Sequence, residues 1–181
     1  MRKVLFYSKT LCFCAMTSIL YANGNINVCD ELDTIIPMMS TAIRLNEQFK
    51  NSVSNLALED QKVLRIKVEN YYEDTLIEPL IDVLVKKECR NNKQFIKSFL
   101  ELIKSFVNSA DEQLNDSFSE LYIEEPLLVE TSIKTEFSSK DKKILIDALK
   151  GNLEKHQEGG NSYTDAIKRL SEFCKNNKIA Y

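Results

Sequence analysis

A chain of 181 residues, 44% hydrophobic and 28% charged, is long enough for one domain with a sizeable core and too apolar to be disordered. Four Gly and three Pro weigh against a turn-rich all-β fold, and a single His beside five Cys leaves little material for a metal centre. The formal net charge of −3, with no basic stripe, excludes the usual electrostatic footprint of a nucleic-acid or anionic-membrane binder.

Residues 1–24 read as a cleaved secretory signal peptide. Arg2, Lys3 and Lys9 form the positive region, and an apolar run of about ten residues follows to Leu20. Ala22-Asn23-Gly24 offers small residues where a signal peptidase reads, with cleavage after Ala22 as an alternative. The run is too short for a membrane span, which needs about 20 residues. Bulky Phe13 before Cys14 disfavours a lipoprotein signal. Removing three of the 24 basic residues leaves 21 against 27 acids, a net charge of −6 for the domain over 25–181. The expected location is periplasmic or extracellular, with no stable membrane insertion after cleavage.

The first helix is expected over 30–55, with Leu32, Ile35, Ile36, Met39, Ile43, Phe49 and Val53 at helical spacing. Pro37 either starts it or kinks it. A second helix follows over 59–90, its apolar side carrying Val63, Leu64, Val68, Tyr71, Tyr72, Leu76, Leu80, Ile81 and Leu84. Within it, Thr75 to Glu78 matches a capping box and Pro79 follows, so it can be two helices meeting near Asp74.

The most regular stretch comes next, over 92–108. Phe95, Ile96, Phe99, Leu100, Leu102, Ile103, Phe106 and Val107 fall on one arc roughly 160° wide, and Lys97, Ser98, Glu101, Lys104 and Ser105 on the other. Such a stripe suits a helix covered by several neighbours. Burying those eight side chains returns roughly 1.5–3 kcal/mol each, about what ordering the backbone costs, so this helix persists only when covered.

A capping box at Ser109 to Glu112 opens a helix with Leu114, Phe118, Leu121 and Tyr122. Over 124–139 a short helix starting at Pro126, with Leu127, Val129, Ile133 and Phe137, competes with an extended piece; the helix is preferred because a lone strand has no partner. A helix over 140–157, capped by Ser138 or Ser139 and stopped by Gly159-Gly160, carries Ile144, Leu145, Ala148, Leu149 and Leu153. The last helix, capped at Ser162, lines up Tyr163, Ala166, Ile167, Leu170, Phe173 and Cys174, and its tail over 175–181 is expected to fray. The fold class is therefore all-α: one bundle of about five to seven helices with one disulfide.

Export leaves Cys29, Cys89 and Cys174 in an oxidising setting, enough for one bridge and one thiol. A hairpin of the first two helices brings Cys29 and Cys89 to one end, and this pair is preferred. Cys29–Cys174, tying the chain ends, is the competitor.

No catalytic set is visible. His156 reads as a solvated residue favoured by a helix C-terminus. No phosphate loop, calcium loop or zinc spacing occurs, and no cofactor is expected. Adjacent carboxylates such as Glu73-Asp74 and Glu124-Glu125 point to different sides of a helix and cannot flank one bond. Asn115-Asp116-Ser117 is a glycosylation sequon, relevant only in a eukaryotic secretory pathway.

Two clusters set aromatics beside acids, a composition met at interfaces: Tyr71 and Tyr72 before Glu73-Asp74, and Tyr122 before Glu124 and Glu125. The competing reading is that these tyrosines continue the apolar faces of their helices. The resulting expectation is a non-enzymatic protein that binds another protein, as an inhibitor, immunity-type protein, chaperone or effector. The alternative is a carrier holding an apolar small molecule or lipid inside the bundle.

Overall fold

The structure is a computed structural model that describes residues 29–107 and 112–179. The predicted leader lies outside the described residues, as does the capping serine expected at position 109. Among the described residues the chain is helical throughout, with no strand. The helices are α1 (Leu32–Ser52), α2 (Leu58–Asn70), a π-helical turn (Tyr71–Leu76), α3 (Ile77–Leu84), α4 (Lys87–Arg90), α5 (Lys93–Phe106), α6 (Glu112–Glu124), α7 (Pro126–Glu136), α8 (Ser139–Lys155) and α9 (Asn161–Asn177).

Helix α1 begins before Pro37 and runs through it, so the proline sits inside a helix whose apolar side already buries Leu32, Ile35, Met39, Ala42 and Leu45. The chain turns at 53–57 and returns along α1. The expected break near Asp74 does not occur. Residues Asn70 and Ile77, on either side of the π turn, both have helical backbone angles, and α2, the π turn and α3 form one rod. The reason lies in the spacing of its core. Val68, Tyr72, Leu76 and Leu80 are all buried and four residues apart. An α-helix turns about 400° in four residues, so such a row drifts by about 40° per step. The wider i→i+5 turn winds the drift back and keeps all four on the bundle. Packing outweighs the capping signal at Thr75.

The returning rod brings Cys29 and Cys89 together, and they form the disulfide, with Cα atoms 5.1 Å apart. Cys174 remains a buried thiol. Closing a loop of this length contributes about 2–4 kcal/mol.

Helix α5 starts at an Asn92 cap, whose Oδ1 accepts from the Phe95 N–H at 3.0 Å. It packs most extensively on α1 and also touches α4, α6, α7 and α8. Its apolar stripe is buried as expected from Phe95 to Phe106, with Val107 half-buried at its end, but so are Ser98 and Ser105, placed on the polar side by periodicity. Neighbours close over the small serines, and Ser105 gains partners: Asn46 Nδ2 of α1 donates to its carbonyl at 2.8 Å and its Oγ at 3.1 Å, and Lys50 Nζ donates to the same carbonyl. A carbonyl in the last turn of α5 thus gains partners from α1. Asn152 of α8 likewise ties two helices together, donating to the Asn115 carbonyl at 2.9 Å and Ser119 Oγ at 2.8 Å on α6.

Pro126 opens α7 at the first turn, where its missing N–H costs little, and the 124–139 stretch is helix rather than strand. Val129, Ile133 and Phe137 are buried, whereas Leu127 is exposed. Ser138 caps α8 by accepting from the Asp141 N–H at 3.2 Å. Helix α9 starts at Asn161 after Gly160 at φ 134°, a conformation suited to glycine, so Ser162 lies inside the first turn rather than capping it. Its C-terminus does not fray where expected. Lys178 takes a left-handed conformation, and the Ile179 N–H bonds the Cys174 carbonyl at 3.0 Å, closing a Schellman cap.

Candidate functional site

The two aromatic–acidic clusters are each split between core and surface. Tyr72 is 5% exposed and stacks on Phe106 with centroids 4.9 Å apart. Tyr71 is half-buried against the core, and only Glu73 and Asp74 face solvent. Tyr122 is fully buried. Its hydroxyl donates to Glu130 Oε1 at 2.9 Å, and Arg169 grips both Glu130 oxygens at 2.7 and 2.9 Å. Burial, reinforced by the Glu130 carboxylate, pushes the Tyr122 phenol well above its usual pKa. Glu124 is exposed and pairs with Arg90, and the Glu125 carbonyl accepts from the Val129 N–H at 3.2 Å. Tyr72 and Tyr122 are core, Tyr71 is half-buried, and the acids are helix surface or helix end.

The reactive side chains are quiet too. His156 Nε2 lies 2.9 Å from Asp116 Oδ1, and its ring centroid lies 5.7 Å from that of Tyr163. Burial, helped by the nearby Glu130 charge, pushes the Cys174 thiol up to about 11, so it is held as thiol and lacks the thiolate of a nucleophile. Cys29, Cys89 and Glu31 gather within 4.8 Å, but the sulfurs are spent in the disulfide. The sequon falls within α6, with Asn115 half-buried, rather than on a surface loop.

Inside the bundle, Phe95 stacks on Phe99 at 6.3 Å and Phe99 meets Phe118 edge-on at 6.2 Å, all buried. Two open grooves lie between helices among the described residues. One of about 250 Å³ lies between α1, α2 and α5, with Phe49, Val68 and Phe106 at its floor and Lys50 and Arg65 at its rim. Another of about 290 Å³ lies between α1 and α3, lined by Ile35, Met38, Pro79 and Val83 beside the Glu31–Lys86 ion pair. No helix among the described residues is long and apolar enough to cross a membrane.

The unusual surface is on α2. Of its 13 residues only Val68 is buried. Val63, expected on the buried side, is 67% exposed, with Leu58 at 67% and Ile66 at 54%. Val53 and Leu56, in the turn before α2, are exposed as well. The outer face of the helix therefore carries Val63 and Ile66, while its opposite side, through Val68, lies along α1. The sequence signal was present: Val63 and Ile66, three residues apart, cannot share a stripe with Val68 and Tyr72. No family model, curated protein or solved structure matches the chain.

Proposed function

We propose that this chain is exported to an oxidising compartment and works there as a non-enzymatic protein-binding module. The observation that carries this reading is the outward face of α2, with Val63 and Ile66 side by side and both more than half exposed on a helix that buries one residue. Contiguous apolar surface rimmed by charge is characteristic of protein contact sites. The disulfide suits an oxidising compartment. The thiol-held Cys174 and the solvent-facing acids give catalysis no support.

The test replaces Ile66 with Asp in the mature, oxidised protein and compares proteins recovered with it and with wild type from the native compartment. Loss of a specific partner with unchanged circular dichroism is the expected result. A partner retained by the variant overturns this assignment of the surface. Mass measurement of the mature chain tests export separately: a start at Asn25 or Asn23 is expected, and an intact Met1 rules it out.

The carrier reading draws on one observation, the apolar floor of the α1–α3 groove. Native mass spectrometry discriminates: a few hundred daltons of added mass, lost on denaturation, favours a carried lipid.

A further inference from the structure

We propose that the outer face of α2 pairs with the same face of a second copy of this chain, the two helices running antiparallel about a two-fold axis. This rests on the protein-binding reading above and names the partner. Glu59, Val63, Ile66 and Asn70 follow one another at spacings of four, three and four, the rhythm of a single coiled-coil stripe, and all four are exposed. Asp60 and Lys67 border the stripe on one side, Lys62 and Glu69 on the other. Val68, the residue that faces the bundle, lies on the opposite side of the helix.

Setting Val63 over the partner's Ile66 in antiparallel fashion fixes every other pairing. Glu59 meets the partner's Asn70, carboxylate against amide. Asp60 lies beside the partner's Lys67, and Lys62 beside the partner's Glu69. Symmetry repeats each contact, as an isologous interface requires. All flanking contacts join opposite charges. A parallel pairing would instead set Lys62 beside the partner's Lys67, cation on cation, so the charge pattern selects both a second copy and its direction.

Two contacts within the chain compete. Lys62 pairs with Glu59 at 3.0 Å, and Arg65 with Glu69 at 2.7 Å. Both are exposed, and such pairs exchange at little cost. A helix of 13 residues is about 20 Å long and buries less than the roughly 1,200 Å² of a stable interface. The pairing is accordingly weak, with Kd on the order of 100 μM, and responds to local concentration.

Sedimentation velocity of the mature, oxidised chain from about 5 μM to about 1 mM tests it. The average mass should rise toward that of a dimer. Ile66→Glu should weaken the pairing by about tenfold or more. Lys62→Glu, which sets two acids together, should weaken it several-fold, and the exchange Lys62→Glu with Glu69→Lys should restore it. Lys62 and Ile66 are exposed and Glu69 is half-exposed, so folding is spared. A wild-type chain that remains monomeric at about 1 mM overturns the proposal. So does a dimer indifferent to both Lys62→Glu and Ile66→Glu. A photo-crosslinker at Ile66 separates the two readings. Joining to a different protein, with the chain itself monomeric, overturns self-pairing and leaves the protein-binding reading standing; a chain that joins to nothing fails both.

Discussion

Helices α5 and α2 have nearly the same length and opposite circumstances. Nine of the 14 residues of α5 are buried, two of them serines, whereas α2 buries one of 13. Neither is long enough to be stable alone in water. Helix α5 is held because five other helices surround it. Helix α2 lies along α1 on one side, where Val68 is buried, and the π turn that follows locks Tyr72 and Leu76 into the core. A helix packed on one side only has a free face to offer.

If that contrast is right, the largest loss follows from damage to α5. Phe99 is fully buried between Phe95 and Phe118. Phe99→Ala should cost about 3–5 kcal/mol in urea unfolding, the removed contacts plus the cavity left behind. A loss below about 1 kcal/mol would mean that α5 is not the centre of the molecule. Next comes the bridge that ties the start of α1 to α4, just ahead of α5. Cys29→Ser with Cys89→Ser should cost about 2–4 kcal/mol. Hydrogen exchange should quicken first in α1 and α4 and leave the already fast α2 amides unchanged.

Alkali should probe the α6–α7–α9 side. The folded chain holds the Cys174 thiol up to about 11, from an ordinary value of 9.0, and the Tyr122 phenol higher still. The unfolded chain releases those protons first, so stability is complete below about pH 9 and falls as pH rises through about 11. Cys174→Ala should flatten the onset of that fall, at some loss of packing at neutral pH. Tyr122→Phe should remove the later part and cost about 1 kcal/mol at neutral pH, since Arg169 still satisfies Glu130. A stability flat from pH 8 to about 11 would count against buried, protonated groups at both positions.

What the sequence displayed follows the same division. The stripe of α5 was legible because large apolar residues recur there without interruption. The Cys29–Cys89 pair was legible because a helical hairpin has only one way to bring chain ends together. The burial of Ser105 was not, because it depends on Asn46 and Lys50 arriving from another helix. The π turn was hidden by a stronger-looking local cue, the capping match at Thr75 with Pro79 behind it, although the four-residue spacing of Val68, Tyr72, Leu76 and Leu80 was in plain sight. For the tyrosine clusters the sequence left a surface and a core reading open, because periodicity reports the face of a helix but not how far neighbours cover it; Tyr72 and Tyr122 are buried. Val63 was assigned inward by treating 59–90 as one face. Reading the 4-3-4 stripe through Glu59, Val63, Ile66 and Asn70 separately would have found the outer face.

The smallest effect is also the most discriminating. Val63→Ala removes a side chain that touches little in one molecule, and alanine is the better helix former, so unfolding at a few micromolar should change by about 0.5 kcal/mol or less, in the stabilising direction. The same volume removed from α5 would be costly, so the sign alone separates an unpartnered face from a core. Near about 1 mM the expectation reverses. Any contact made through α2 then adds its own binding free energy to wild type and less to the variant, by mass action. A stability difference that changes sign with concentration ties the exposure of Val63 to binding. One that stays small and favourable at every concentration leaves the outer face of α2 a bare surface.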